Sequence, residues 1–241
     1  MPAASCASAV SAAGGLGLIG GGYGDARWID EQWALVGDNR VGVGVITWAS
    51  SMAVVHHVVA KRPAAVWLSF GDPAEAIWAI HAAGCVSICQ VSSLEEAQTA
   101  VRAGANVLVA QGSDAGGHGP NDVALPALVS SISRVLPNVP LVAAGGLNDR
   151  FDYERMRSLE CRGGCAGHGV LLTTEALDVP AAKQQLIAST ADDTIRSTVY
   201  DIVRGPEWPS PYSGRSVQTD VTRRWRNDVD EAPTLARFGA G

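Results

Sequence analysis

Residues 104–120 read GANVLVAQGSDAGGHGP, an apolar run that dissolves into glycine around a single histidine, and the fold turns on how that run is read. Val107, Leu108 and Val109 follow one another without polar alternation. That is the pattern of a parallel strand covered on both faces. Runs of the same kind recur along the chain: LGLIG from Leu16, RVGVGVITWA from Arg40, AAVWLSFG from Ala64, CVSICQV from Cys85 and VPLVAAGG from Val139. Helical patterns separate them, among them SSMAVVHHVVAKR, DPAEAIWAIHAAG and SLEEAQTAVRAG. The last opens with a serine cap and early acids, which suit the first turn of a helix. Strand and helix alternating at this spacing mean right-handed βαβ units. Six strands are clear, and a seventh is expected near GVLLTTE from Gly169. The chain therefore reads as one (β/α)₈ TIM-barrel domain over residues 1–241 rather than an open doubly wound sheet.

In such a barrel the active site forms from loops at the carboxyl ends of the strands. SDAGGHG leaves its strand directly, so His118 is expected on that face, and AAGG, ending at Gly146, arrives there one strand later. Bare amides at Gly145 and Gly146 can approach an anion closely. GGLGLIG at 14–20 contains a literal G-x-G-x-x-G, but a helix precedes it where a dinucleotide fingerprint needs a strand. It is rejected as a nucleotide motif. His56, His57 and His81 fall inside helical patterns and are assigned to packing or surface.

Composition excludes several classes. A net charge of −6 leaves no basic stripe for nucleic acid, and the RRWR cluster at 223–226 reads as a solvated face. The five cysteines lack zinc spacing; Cys85 and Cys89 read as small core residues, so no metal is expected. The first residues carry neither a basic n-region nor a membrane-length apolar run, so a cytoplasmic location is expected.

VLVAQGSDAGGHG, with VPLVAAGGL after it and AAVWLSFGDP and SICQVSSLEEA before it, resembles the nitronate monooxygenases, formerly called 2-nitropropane dioxygenases. The likeness runs from about Gly14 to Leu147 and resumes over DDTIRSTVYD and WPSPYSGR. Asp114 stands where that family usually carries glutamate. The resemblance implies an FMN-dependent barrel that oxidises alkyl nitronates or nitroalkanes with O₂ to a carbonyl compound and nitrite. It implies His118 as the catalytic base. It places Gln90, Gln111, Gly112, Gly116 and Gly117 along the flavin, and Gly145 and Gly146 at the FMN phosphate. An NAD(P)H:quinone reductase of the same barrel type is the nearest alternative, and an inactive barrel that only binds a ligand is the other.

Two departures from the family pattern carry expectations. The family's first strand, ending Ala-Pro-Met, is absent before Met1, so two unpaired sheet edges, poor solubility or a homo-oligomer are expected. Beyond Leu147 the family reaches a strand ending G-T-R-F, whereas here GCAGHGVL stands at 164–171. Read one base later, its codons can restore that strand. A local reading-frame slip with weakened FMN binding is the favoured reading, genuine divergence the other, and His168 then stands where threonine belongs.

Overall fold

The structure is a computed structural model that describes residues 3–120, 123–147, 149–176 and 180–225. Its main sheet holds seven parallel strands: β1 (Gly17–Gly20), β2 (Val41–Ile46), β3 (Ala65–Ser69), β4 (Val86–Val91), β5 (Val107–Gln111), β7 (Leu141–Ala144) and β8 (Gly163–Cys165). They lie in sequence order, which is what consecutive βαβ units produce. A short β6 (Gly117–Gly119) leaves the main sheet and pairs antiparallel with β10 (Ser213–Val217), whose other edge pairs with β9 (Thr194–Ser197). The helices are α1 (Ala3–Ala12), α2 (Ala26–Ala34), α3 (Met52–Ala60), α4 (Ala74–Ala82), α5 (Leu94–Arg102), α6 (Leu125–Val135), α7 (Arg150–Ser158), α8 (His168–Leu171), α9 (Pro180–Ala188), α10 (Val199–Arg204) and α11 (Asp220–Trp225). No described helix is long and apolar enough to cross a membrane.

Strand alternation sorts the side chains onto two faces. On the outer face Val66, Leu68, Leu108 and Ala110 pack against Val58, Ile77, Ile80 and Ile132 of the helices. Burying a leucine or isoleucine of this kind contributes about 1.5–3 kcal/mol. On the inner face Ala65, Ile88 and Val109 meet Trp67, Val107 and Val142. This inner face curls around a cavity of about 450 Å³ that β1 and β8 also line. The chain thus has the α/β barrel architecture, but among the described residues β1 pairs only with β2 and β8 only with β7. Both outer strands of this sheet therefore keep one edge without a strand partner among the described residues.

Six of the expected strands form within a residue or two of the apolar runs that announced them. The seventh does not lie at Gly169. Strand β8 forms six residues earlier, at Gly163, and GVLL falls in and beside the one-turn α8. The connection from α7 explains the shift. Glu160, with φ of 71°, turns the chain straight back, and the Arg162 amide already donates to the Leu141 carbonyl. Register is therefore fixed before Gly163, and the apolar residues that follow lie past the end of the ladder. Gly164 is needed there because an added Cβ would lie 2.2 Å from the Tyr153 ring. The degenerate last strand expected from sequence is this three-residue β8.

Candidate active site

Inner-face alternation carries a polar row to the carboxyl ends of the strands. Ser69, Gln90 and Gln111 sit two residues beyond Trp67, Ile88 and Val109, so they share the inner face with them. The Trp67 indole N–H donates to Ser69 Oγ at 2.7 Å, and Ser69 Oγ donates to Gln90 Oε1 at 3.2 Å. Gln90 Nε2 donates to Gln111 Oε1 at 2.7 Å, and Gln111 Nε2 donates to the His118 carbonyl at 3.2 Å. One unbroken chain of hydrogen bonds ties β3, β4 and β5 to the glycine-rich segment.

That segment is not the free loop its composition suggests. Gly117, His118 and Gly119 form β6, held against Arg215, Gly214 and Ser213 of β10. Arg196, on β9, locks the approach to it. Its guanidinium donates to the carbonyls of Gly119 (3.0 Å), Ser213 (2.9 Å), Ala115 (3.1 Å), Ser113 (3.4 Å) and Gly117 (3.5 Å). Burial, and then the nearby charge of Arg215, lower the Arg196 pKa from its ordinary value. Gly112 fits only without a side chain, since an added Cβ would lie 2.5–2.6 Å from Leu125 atoms that include its backbone.

His118 is fixed on two sides. Its Nε2 lies 2.9 Å from Oδ1 of Asp201, a buried residue of α10. Its ring stacks on Trp208, with centroids 3.6 Å apart and planes 6° from parallel. Trp208 in turn anchors an aromatic wall at the barrel mouth. Phe70 and Trp48 meet it edge-on at 5.0 and 5.3 Å, and its indole N–H donates to the Tyr23 hydroxyl at 2.9 Å. Phe70 holds a φ of 61°, a conformation costly for a non-glycine residue. Sequence reasoning missed Asp201, Trp208 and Arg196. The stretches DDTIRSTVYD and WPSPYSGR contain all three, but no local spacing links residue 118 to residue 201.

Gly145 and Gly146 follow β7 with φ of 114° and 66°, so both need glycine. An added Cβ would meet Ala115 at 3.0 Å from Gly145 and Asp114 at 3.4 Å from Gly146. The pair therefore packs on the 113–116 turn. Gly116 lies under the exposed His168 ring. Of the other histidines, His57 bonds Asp30, His81 bonds Ser87 and Asn106, and His56 is exposed on α3. Cys85 and Cys89 are buried, as expected, and burial pushes the Cys89 thiol up to about 12. No group of residues able to hold a metal ion occurs among the described residues.

The family model described as nitronate monooxygenase matches residues 28–206. The chain belongs to the nitronate monooxygenase family. A nitronate monooxygenase, npaC, of Metarhizium robertsii is 32% identical over an alignment covering 92% of this chain and 70% of that protein. The Neurospora crassa nitronate monooxygenase is 31% identical over 74% of the chain and 55% of its own length. FabK from Thermotoga maritima superposes with a TM-score of 0.82 at 27% identity, over 98% of this chain and 73% of that one. The nitroalkane oxidase of Streptomyces ansochromogenes superposes at 0.76 and 22% identity, over 93% and 76%, a likeness of fold. Membership of this family implies a flavin, and the carboxyl face fits one. At Gly20, Gly22 and Gly117 an added Cβ would meet nothing within 4 Å, so bare backbone faces open space around the mouth. Thr47 Oγ1, Trp48 Nε1 and Ser50 Oγ, all just past β2, are buried with no hydrogen-bond partner among the described residues. A planar group with polar edges suits both features.

Proposed function

We propose that the chain oxidises alkyl nitronates and nitroalkanes with O₂, using FMN held at the carboxyl face, with His118 as its base. The observation that supports this most is the placement of His118. Its ring stands at the mouth, wedged between a carboxylate and an indole, beside backbone bare enough to admit a planar cofactor. Gln90, Gln111, Gly112, Gly116 and Gly117 would line the flavin, and the amides of Gly145 and Gly146 would take the phosphate. Bound there, FMN supplies electron chemistry that no side chain of this protein can supply.

The chain's own residues handle the proton and the water. His118 removes the acidic proton on the carbon bearing the nitro group, and its imidazolium then favours the anionic nitronate. Trp208 and Phe70 keep bulk water from the ring and offer an apolar wall to the alkyl group. No observation favours a quinone reductase or a ligand-only barrel.

Purified protein reconstituted with FMN is expected to retain the flavin band through gel filtration and to release nitrite from nitroethane and from ethylnitronate. His118→Ala is expected to keep the flavin and to lose about 10²-fold or more on nitroethane, less on ethylnitronate. Equal losses on both substrates, flavin retained, would remove His118 as the base. A colourless protein without turnover would defeat the whole reading.

A further inference from the structure

We infer that Asp201 is a positioning residue that fixes the tautomer and orientation of His118, leaving Nδ1 as the nitrogen that meets substrate. This rests on His118 acting as the base. Asp201 stands 83 positions away in sequence, on α10, yet its Oδ1 lies 2.9 Å from Nε2. It is a buried carboxylate, 7% exposed, and among the described residues the His118 ring is its one side-chain partner. A buried carboxylate without a partner is costly, so burial here makes sense only with the ring in place.

A carboxylate only accepts, so Nε2 carries the proton and Nδ1 keeps the lone pair. Trp208 covers one ring face. The Nε2–Cε1 edge looks toward Gly214, where an added Cβ would stand 3.6 Å from Nε2. The lone pair on Nδ1 is thereby the basic position left for a substrate proton. The other charged or titratable groups packed around this strand turn elsewhere. Arg196 (β9) spends its guanidinium on backbone carbonyls, and Arg215 (β10) donates to Thr194 and to the Ser113 carbonyl. Tyr212 lies beyond Trp208, Asp114 lies against Gly146, and His168 lies over Gly116. Asp201 is therefore the carboxylate that holds the ring with Nε2 turned inward and Nδ1 outward.

Nitrogen-15 NMR of histidine-labelled full chain without added flavin tests this directly, with His118→Gln assigning the signal. The expected result is a neutral ring protonated at Nε2 in the wild type, and both neutral tautomers in Asp201→Asn, whose amide can donate as well as accept. Asp201→Glu is expected to keep the Nε2-protonated form. A wild-type neutral ring protonated at Nδ1, or the same single tautomer in a folded Asp201→Asn, overturns the proposal. A purely structural role would lower the melting temperature and leave the tautomer alone. Should Asp201→Asn fail to fold, the wild-type tautomer still decides. In the FMN-loaded enzyme Asp201→Asn is expected to lower kcat/KM on nitroethane by more than on ethylnitronate. A wild type that oxidises neither substrate counts against the proposed function, while the NMR tautomer still judges the pair.

Discussion

The two sides of the barrel mouth are built in opposite ways. From β3 to β6 the rim is held by side chains that complete one another: the Ser69–Gln90–Gln111 row, the Arg196 clamp and the His118–Asp201 pair. From β7 to α9 it is mostly backbone and exposed side chains. Neither α8 nor α9 buries a residue, and α7 buries only Met156 among its own. The first side holds its shape through buried polar contacts that tolerate little change. The second keeps few contacts to lose. A phosphate resting on Gly145 and Gly146 would rest on the looser side, and a substrate meeting His118 would meet the tighter one.

The sharpest way to break that contrast is to remove one cation from each side. Arg196→Met strips five backbone carbonyls of their donor, and hydrogen bonds to charged groups contribute about 1.5–3 kcal/mol each, without adding fully. A loss of about 3 kcal/mol or more is expected, or a melting temperature lower by about 6–12 °C for a chain of this size. Arg196→Lys is not expected to rescue it, because an ammonium cannot span that fan of acceptors. Lys183, which donates to the carbonyls of Thr173 and Ala176 from α9, is the counterpart. Lys183→Ala is expected to cost under about 1 kcal/mol. Comparable losses in thermal melts would erase the distinction.

A finer comparison adds one methyl group to each side of the same loop. Gly112→Ala drives a Cβ into Leu125 backbone that cannot withdraw, with an expected cost of about 1–3 kcal/mol. Gly116→Ala meets only the far end of the exposed His168 ring, at 2.2 Å, and that ring can swing away. Little change in melting temperature is expected for it. Equal destabilisation by the two would mean that His168 is anchored after all.

The smallest expected effect concerns two thiols placed one on each side. Burial raises Cys89, on β4, to about 12 and Cys161, at the end of the α7 turn, to about 11, from an ordinary 9.0. In the folded state both stay protonated where the unfolded chain has begun to ionise. Their contribution is complete below pH 9 and falls as pH rises above it, by about 1.4 kcal/mol per unit for each thiol until its folded value is reached. Urea melts from pH 8 to 10.5 are expected to lose stability more steeply in the wild type than in Cys89→Ala. Identical slopes would show that Cys89 is open to solvent.

The legible part of the molecule was the part governed by local pattern. Val107–Gln111 and its sister strands announce themselves because parallel strands buried on both faces must be apolar throughout. His118 was legible because glycine on both sides gives an imidazole no core to fill. The position of β8 was not. It depends on how tightly Glu160 returns the chain to Leu141, and apolar periodicity does not encode the length of a return. Asp201, Arg196 and Trp208 were illegible for a related reason. Each acts on residues 113–119 from more than 70 positions away, Arg196 from β9, Asp201 from α10 and Trp208 from the segment before β10, and none of these short pieces carries an alternating apolar signature. The family resemblance covered the stretches that hold them, but resemblance alone gave them no task.

The amide row has a direction as well as a length. Every donor in it points the same way, from the Trp67 indole through Ser69, Gln90 and Gln111 to the His118 carbonyl. Its dipoles therefore add, and each link polarises the next. Reversing Gln111 alone would set donor against donor at Gln90 and acceptor against acceptor at the His118 carbonyl. The row behaves as a single polarised wire, so the way each amide faces the mouth is decided at its far end by the His118 carbonyl, which can only accept.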